Sequence, residues 1–193
     1  LNLDGKKVST NEMGELVMRK SSIGLTKSLW NDDKRYIDNY WSVIKDCWVH
    51  GDLASRDADG HWYLHGRSDD TIKVSGKRIG PSELESVIVK SGKAKEVAAV
   101  GIPDANKGSK IILSIVPAEN NDQKESFFED LVIKDLGKSF KPDKVIFVKD
   151  LPKTRNMKIM RRVIKSCLAN QDPGDLSTLL NPESVEEIRS HAI

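Results

Sequence analysis

The order of short apolar segments after residue 70 is the feature that most constrains what this chain can fold into. Short segments on either side of Ser75-Gly76 predict a tight hairpin, and later apolar runs have the length of buried strands. Pro81 opens a segment with apolar residues at helical spacing. The predicted strands cover residues 71–74, 77–79, 97–102, 111–116 and 145–148, and the predicted helices cover residues 81–92, 127–136, 158–168 and 182–190. This order is typical of a small α+β module.

The first 68 residues have a different pattern, in which strands predominate. Strands are predicted for residues 15–19, 48–50 and 62–65. A helix capped by Asn31 is expected between the first two. The polar residues 68–70 follow, and we place a domain boundary there. The predicted fold class is therefore α+β, with the end of a β-rich N-terminal subdomain followed by a small α+β C-terminal domain.

The composition excludes several classes of protein. Of the 193 residues, 31% are charged and 38% are hydrophobic, and no apolar run approaches the ~20 residues of a membrane span. The two cysteines, Cys47 and Cys167, lie outside any metal-ligand spacing, and no signal peptide is visible. These features predict a cytoplasmic protein that has no membrane partner and no metal site of its own.

The charge is unevenly distributed, although the net charge is only +2. Residues 138–165, which we call the basic segment, contain ten Lys or Arg against two Asp. Such a segment requires an anionic partner or a solvated face. The alternative interpretation is therefore a non-catalytic binding module whose basic face contacts nucleic acid or another partner, whereas our prediction is that the chain has no nucleic-acid partner.

Asp52 and Arg67 are candidates for binding a sugar. An ionised carboxylate has only acceptor oxygens, which suits the vicinal hydroxyls of a ribose, and Gly51 leaves room for a ligand. Arg67 offers five donors in a rigid fork that can hold the other side of the sugar. The alternatives are a turn-forming Asp and a surface ion pair.

The Ser75-Gly76 turn is a second candidate site, because glycine permits positive φ and a close approach of the backbone to a ligand. Lys77 and Arg78 follow it and can reach phosphates. The chain has no G-x-x-x-x-G-K-[ST] and no G-x-G-x-x-G sequence, so a self-contained phosphate loop is not predicted. The alternative for Gly76 is a simple hairpin turn.

Lys158 ends a basic loop that precedes a helix. A mobile loop can deliver its ammonium to a reacting carboxylate and phosphate, where it stabilises developing negative charge. The alternative is a solvated lysine. Asp69 and Asp70 are adjacent in an extended segment and therefore point apart, which favours a hinge over a catalytic pair.

Three segments together resemble a known family. They are residues 64–83 (LHGRSDDTIKVSGKRIGPSE), 151–162 (LPKTRNMKIMRR) and 174–182 (GDLSTLLNP). In their sequences and in their order along the chain, they resemble the C-terminal part of AMP-forming acyl-CoA synthetases of the adenylate-forming superfamily, and the acetyl-CoA synthetase branch in particular. The resemblance runs over nearly the whole chain.

The resemblance implies a role for each candidate residue. Asp52 and Arg67 bind the ribose of ATP or AMP, and Arg78 faces the nucleotide phosphates. Lys158 is the catalytic lysine of adenylation and a target of a lysine acetylase and deacetylase. The implied cofactors are ATP, Mg²⁺ and coenzyme A.

The second half of the reaction involves the other candidates. Asp69 is implied as the hinge about which the C-terminal domain pivots. The pivot removes Lys158 and brings Ser75 and Gly76 to the pantetheine channel of CoA. The reaction is the activation of a short carboxylate to acyl-AMP, followed by transfer of the acyl group to CoA.

The chain departs from the family pattern at three positions. The family usually has Gly just before the lysine, where this chain has Met157. The family's His before the arginine is Lys77. An arginine that meets the CoA nucleotide aligns with Ile133, and Lys134 is a candidate substitute.

On this basis residues 1–68 are expected to be the tail of a large ATP-binding domain, and residues 69–193 a complete C-terminal lid. The chain begins at Leu1 rather than Met, and it is expected to be inactive alone. Acetate is the expected substrate. Propionate or 3-hydroxypropionate is the alternative.

Overall fold

The computed structural model describes residues 1–119 and 122–193, and it divides the chain into two units between Asp69 and Asp70. We call Leu1–Asp69 the N-terminal unit and Asp70–Ile193 the C-terminal unit. The predicted α+β class is confirmed, since within the described residues each unit combines a sheet with helical segments. Among those same residues, no helix is both long and apolar enough to cross a membrane.

The N-terminal unit contains an antiparallel sheet in the order β1-β2-β3. Its strands are β1 (Gly14–Met18), β2 (Trp48–Arg56) and β3 (Trp62–Arg67). The predicted hairpin is confirmed, because β2 and β3 are consecutive antiparallel neighbours.

The helix expected in the N-terminal unit is only partly an α-helix. α1 (Asp33–Tyr36) continues only as a π-helical turn, Ile37–Trp41. Asn31 was predicted as the cap, but the cap is Asp32, whose carboxylate accepts a hydrogen bond from the Arg35 amide. Asn31 has a φ of +52°, in the left-handed region, and so belongs to the preceding turn.

The C-terminal unit contains a hairpin and a three-stranded sheet. The hairpin strands are β4 (Ile72–Val74) and β5 (Lys77–Ile79), and the sheet strands are β6 (Ala94–Asp104), β7 (Gly108–Pro117) and β8 (Lys144–Phe147). The helices are α2 (Pro81–Lys90), α3 (Glu125–Leu136), α4 (Arg161–Leu168) and α5 (Glu183–Arg189), with a 3-10 turn at Lys138–Phe140. In the sheet, β6 and β7 are antiparallel, and β8 lies parallel to β7 after the α3 crossover.

The sheet of the C-terminal unit is covered on both faces. Val97 and Ala99 pack with α2 and α3 on one face, whereas Ala98 and Val100 pack with α4 and α5 on the other. Successive side chains of a strand point to opposite faces, so the central part of a strand covered on both faces is mainly apolar. This explains the apolar runs in the sequences of β6 and β7, although β7 also buries Ser114.

One predicted helix begins later than expected. The helix assigned to residues 158–168 begins at Arg161, so Lys158 lies in the preceding loop. The reason is that Ile159 forms an antiparallel bridge with Lys153 and the Met160 amide donates to the Pro152 carbonyl at 2.8 Å, so these residues belong to a hairpin-like loop. The loop that carries Lys158 therefore extends to residue 160, three residues further than the sequence predicted.

Candidate functional site

Asp52 and Arg67 lie opposite each other in the β2–β3 register, which shifts between Asp52 and Ala54 because β3 has one extra residue there. Gly51 precedes the aspartate with a φ of +81°. A Cβ at this glycine would lie 2.7 Å from Arg67 Nη2, so the guanidinium packs directly over the backbone. Glycine is therefore favoured here for its conformation, and a side chain at this position would displace the Arg67 guanidinium.

Arg67 holds two carboxylates and a carbonyl within the N-terminal unit. Its Nη1 is 3.5 Å from Asp52 Oδ1 and donates to the His50 carbonyl at 3.1 Å. Its Nε and Nη2 donate to Asp69 at 3.0 and 3.3 Å, in a bidentate pair. Asp69, the predicted hinge, is thus tied to the predicted ribose-binding pair.

His50 was not predicted as a site residue. Its Nδ1 lies 2.6 Å from Asp52 Oδ2, and its ring meets Trp48 edge to face at 5.5 Å. The signal was present in the sequence, because residues two apart in a strand share a face. The contact orients the carboxylate and leaves Oδ1, at 3.5 Å from Arg67, with capacity to accept from a hydroxyl.

The Ser75-Gly76 turn closes the β4–β5 hairpin, in which Val74 pairs with Lys77. Both turn residues have positive φ, +49° and +79°, as a two-residue type I′ turn requires. The Ser75 amide donates to the Lys107 carbonyl at 2.8 Å, and the space beside the Gly76 α-carbon is open to 4 Å. The turn is therefore rigid and leaves room for a ligand against its backbone.

Arg78 is exposed on β5, opposite Lys73. The buried residues of this hairpin, Ile72, Val74 and Ile79, pack into the core of the C-terminal unit. Because successive side chains of a strand point to opposite faces, Lys73 and Arg78 point into solvent.

Lys158 lies at the end of a small hairpin-like loop between β8 and α4. The Thr154 amide donates to the Lys158 carbonyl at 2.9 Å, and the Lys158 amide donates to Thr154 Oγ1 at 3.2 Å. The Lys158 side chain is exposed, and within the described residues its ammonium has no ion-pair or hydrogen-bond partner. Such a group is available to a ligand.

Two basic residues that flank this loop are held by carboxylates, and neither was predicted. Lys153 is 6% exposed, and its Nζ lies 2.7 Å from Glu96 and 2.6 Å from Asp150. Arg161 forms a bidentate pair with Glu85, at 2.8 and 2.6 Å. These contacts depend on carboxylates distant in sequence, which a reading of local spacing does not reveal.

Several other members of the basic segment also have partners inside the C-terminal unit. Lys141 pairs with Glu129, Lys144 donates to the His191 carbonyl, and Arg162 donates to the carbonyls of Pro173 and Asp175. With Lys153 and Arg161, at least five of the ten basic side chains are therefore bonded internally. These contacts give the charge of the segment a structural role, and the prediction stays that the chain has no nucleic-acid partner.

One cluster of metal-ligand type occurs among the described residues. Asp57, Asp59 and His61 place one ligand atom each within 4.8 Å of one another at the β2–β3 turn. Asp57 already accepts hydrogen bonds from the His61 amide at 2.9 Å and the Tyr63 hydroxyl at 3.0 Å. These bonds explain the arrangement as a turn, and we assign no ion to it.

The candidate residues thus form three groups. Asp52, Arg67 and Asp69 meet in the N-terminal unit. In the C-terminal unit, Ser75, Gly76 and Arg78 share one hairpin, and Lys158 lies on a separate loop. The roles predicted for them stay predictions.

Comparison with known proteins shows what this chain is similar to. Residues 83–158 match the model for the AMP-binding enzyme C-terminal domain. The chain is 40% identical to an acetyl-coenzyme A synthetase from Methanothrix thermoacetophila over 192 residues, which cover 96% of this chain and 29% of the relative. It is 36% identical to a propionate–CoA ligase from Escherichia coli over 195 residues, which cover 96% of this chain and 31% of that enzyme.

The fold agrees with these matches. The structure of acetoacetyl-CoA synthetase from Streptomyces lividans covers 98% of this chain, and the match covers 30% of that protein, with a TM-score of 0.83 at 22% identity. At that identity the likeness shows the fold alone. The chain spans less than a third of the length of the relatives it matches. The predicted resemblance is nevertheless confirmed: the chain carries the AMP-binding enzyme C-terminal domain, and over nearly its whole length it is similar to the C-terminal part of these acyl-CoA synthetases.

Proposed function

We propose that this chain is the C-terminal part of a ligase that activates a short carboxylate with ATP and transfers the acyl group to CoA. The observation that carries the proposal is Lys158, whose exposed ammonium has no partner among residues 1–119 and 122–193 and which lies on a loop held by ion pairs at both ends. The similarity to known enzymes supports it, because relatives of this chain include an acetyl-CoA synthetase and a propionate–CoA ligase.

Lys158 would act in the first half-reaction. Attack of the carboxylate on the α-phosphate builds negative charge, and a positioned ammonium stabilises that charge more in the transition state than in the ground state. A donor of this kind contributes a factor of about 10² to 10³ in rate. Mg²⁺, when bound, shares the charge of the phosphates.

Asp52 and Arg67 would hold the nucleotide. Asp52 Oδ2 is engaged by His50, so the carboxylate presents a fixed Oδ1 to a ribose hydroxyl. Arg67 supplies a guanidinium beside it. This donor and acceptor set fits a diol, whose hydroxyls both donate and accept. Arg78, exposed on its hairpin, is the proposed phosphate contact.

The second half-reaction needs a different group of residues beside the bound acyl-AMP. The Ser75-Gly76 turn has an exposed backbone with open space at the glycine, which suits the narrow pantetheine arm of CoA. The two units divide at Asp69. A rotation of the C-terminal domain about this residue would remove Lys158 from the reaction centre and bring the Ser75-Gly76 turn there instead. Acetate is the proposed substrate, and propionate is the alternative that the second relative supports.

The exposed Lys158 is also accessible to a lysine acetylase. Acetylation removes the positive charge, so it should slow adenylation and spare thioester formation.

The test separates the two half-reactions in the parent synthetase. Lys158→Ala should lower carboxylate-dependent exchange of pyrophosphate into ATP by at least about 10²-fold. CoA transfer from supplied acyl-AMP should persist. Lys165→Ala, which removes an exposed lysine of α4, is the matched control and should leave both rates unchanged. A normal exchange rate in Lys158→Ala would refute the role of this lysine.

A second experiment addresses the chain by itself. Acetate, ATP, Mg²⁺ and CoA are added to the purified chain, and AMP release is measured. We expect no AMP above background, because no phosphate loop is found in the sequence. Sustained AMP release would contradict the proposal that the chain needs the rest of a synthetase.

A further inference from the structure

Two lysines five residues apart on the same loop have opposite environments. Lys158 is exposed, whereas Lys153 is 6% exposed and lies between two carboxylates. Lys153 Nζ is 2.7 and 2.9 Å from the two oxygens of Glu96 and 2.6 Å from Asp150 Oδ1. A buried ammonium is unfavourable unless it is paired, so this site is built around the charge.

The main chain of Lys153 is held as firmly as its side chain. Its amide donates to Asn181 Oδ1 at 3.0 Å, and its carbonyl accepts from the Leu180 amide at 2.8 Å. Asn181 is itself 6% exposed and donates to Asp150 Oδ2 at 2.7 Å and to the Leu151 carbonyl at 2.8 Å. We call Glu96, Asp150, Lys153 and Asn181 the Lys153 anchor.

The pKa values of the anchor agree with this arrangement. Burial acts to lower the pKa of the Lys153 ammonium, but the bonds to Asp150 and Glu96 outweigh burial and raise it. For Asp150, burial acts to raise the pKa, and the bonds from Lys153 and the Leu151 amide outweigh burial and lower it. Both groups are therefore held in their charged forms.

The other end of the loop is fixed independently. Arg161 pairs with Glu85, and Glu85 Oε1 also accepts from the Ala99 amide of β6 at 3.0 Å. The Met160 amide donates to the Pro152 carbonyl at 2.8 Å, which closes the base of the loop. Lys158 therefore projects from a hairpin whose two ends are both attached to the sheet and α2.

We propose that Lys153 is a positioning residue of the adenylation step, whose ion pairs with Glu96 and Asp150 fix the base of the loop and so set where the Lys158 ammonium is presented. The inference rests on the proposed function of Lys158. Lys153 does not itself contact the reacting atoms, since it is buried and its charge is already shared by two carboxylates. Small errors in placing a catalytic group lower the rate strongly, by as much as about 10²-fold for 1 Å.

The first test uses amide hydrogen exchange on the 193-residue chain and needs no activity. Lys153→Met keeps the length of the side chain and removes its charge. We expect exchange at the Thr154 and Lys158 amides to accelerate at least about 10-fold, while amides of α3 keep the wild-type rate. Lys165→Met is the matched control, and Lys153→Arg should restore most of the protection. Unchanged protection at Thr154 and Lys158 would overturn the proposal.

The second test measures the two half-reactions in the parent synthetase. Lys153→Met should lower the kcat of adenylation about 10- to 100-fold, with the KM for ATP nearly unchanged and CoA transfer from supplied acyl-AMP retained. The double variant Lys153→Met/Lys158→Ala should be no slower than Lys158→Ala alone, because a positioning residue acts through the group that it positions. Equal losses in both half-reactions, or additive losses, would show a general structural role and refute the proposal.

A milder variant covers the case in which Lys153→Met does not fold. Glu96→Gln removes one charge of the anchor with little change in shape, and it should alter the same amides and the same half-reaction to a smaller extent. If Lys158→Ala left adenylation unchanged, the proposed function would fail, whereas the exchange experiment would still decide whether the anchor orders the loop.

Discussion

The two units of this chain bury their apolar residues to very different extents. The C-terminal unit has an apolar cluster on each face of its sheet, including fully buried Leu84, Phe128 and Ile164. The core of the N-terminal unit is small and is formed by Ile44, Cys47 and Val49, with Leu1 and Val17 beside it. Because apolar burial supplies most of the stability of a fold, the two units should differ in stability as well as in shape.

The surfaces show the same difference. Ten of the fourteen exposed large apolar side chains among the described residues belong to the N-terminal unit: Leu3, Met13, Met18, Ile23, Trp30, Ile37, Val43, Trp62, Tyr63 and Leu64. Exposed apolar surface of this extent is typical of a region that packs against further polypeptide. The comparison supports the proposal that the N-terminal unit is part of a larger domain, while the C-terminal unit has a core of its own.

The largest expected effect is a separation of the unfolding transitions. All four tryptophans, at positions 30, 41, 48 and 62, lie in the N-terminal unit, so their fluorescence monitors that unit alone. In a urea titration of the chain, tryptophan fluorescence should change at clearly lower urea than far-ultraviolet circular dichroism, which is dominated by the C-terminal unit. Residues 70–193 expressed alone should keep a cooperative transition, and residues 1–69 alone should show none. Coincident transitions in the chain would contradict this comparison.

A matched pair of leucine substitutions should differ by several kcal/mol. Leu84 is fully buried in the C-terminal unit, and Leu64 is 67% exposed in the N-terminal unit. Leu84→Ala should lower the free energy of unfolding by about 3 kcal/mol through lost burial and the cavity left behind. Leu64→Ala should change it by less than about 0.5 kcal/mol. The check is urea unfolding, followed by circular dichroism for Leu84→Ala and by fluorescence for Leu64→Ala. Similar losses of unfolding free energy for both variants would contradict the predicted difference in apolar burial between the units.

Lys153→Met should destabilise the C-terminal unit by about 2 kcal/mol. Removing one partner of a fully buried ion pair costs about 3–5 kcal/mol, and the loss should be smaller here because the Asp150 side chain is 45% exposed and can be hydrated.

The pH dependence of this loss follows from the two pKa shifts. The raised pKa of Lys153 gives stability that is present below about pH 10.4 and is lost as the pH rises through the higher folded value. The lowered pKa of Asp150 gives stability that is present above about pH 3.9 and is lost as the pH falls through the lower folded value. The difference between wild type and Lys153→Met should therefore be constant near neutral pH and shrink at both extremes. A difference independent of pH would contradict the ion-pair explanation.

The smallest expected effect is a stabilisation by Met157→Gly. Met157 has a φ of +62°, a conformation that costs a residue with a side chain about 1–2 kcal/mol. Glycine removes that strain but gains entropy in the unfolded chain, so the net stabilisation should be about 0.5 kcal/mol. Thermal unfolding of residues 70–193 is the measurement, and Met157→Ala, which keeps the strain, is the control. A destabilised Met157→Gly would refute this account.

The backbone at position 157 also gives a reason for the family pattern. A residue in the left-handed region just before the lysine is most easily glycine, the residue that the family usually has there. Methionine in this chain adopts the same conformation at some cost.

Much of the fold could be predicted from local pattern. Apolar runs predicted β6, β7 and β8, and helical spacing after Pro81 predicted α2, because periodicity and turn residues are properties of neighbouring positions. The hairpin at Ser75-Gly76 was predicted for the same reason, and the structure identifies its turn as type I′. The resemblance to the family was also evident from the sequences of residues 64–83, 151–162 and 174–182.

Contacts between distant segments decided the rest. Lys153 and Lys158 belong to one basic loop and have similar neighbours in the sequence, yet one is buried between Glu96 and Asp150 and the other is exposed. Their difference arises because β6 brings Glu96 to the loop and the segment near Asn181 folds back over it. Local pattern specifies which strands and helices form, since each depends on a few adjacent residues. Burial of a charge depends on partners that only the folded chain brings together, and so the environment of each lysine is a property of the tertiary structure.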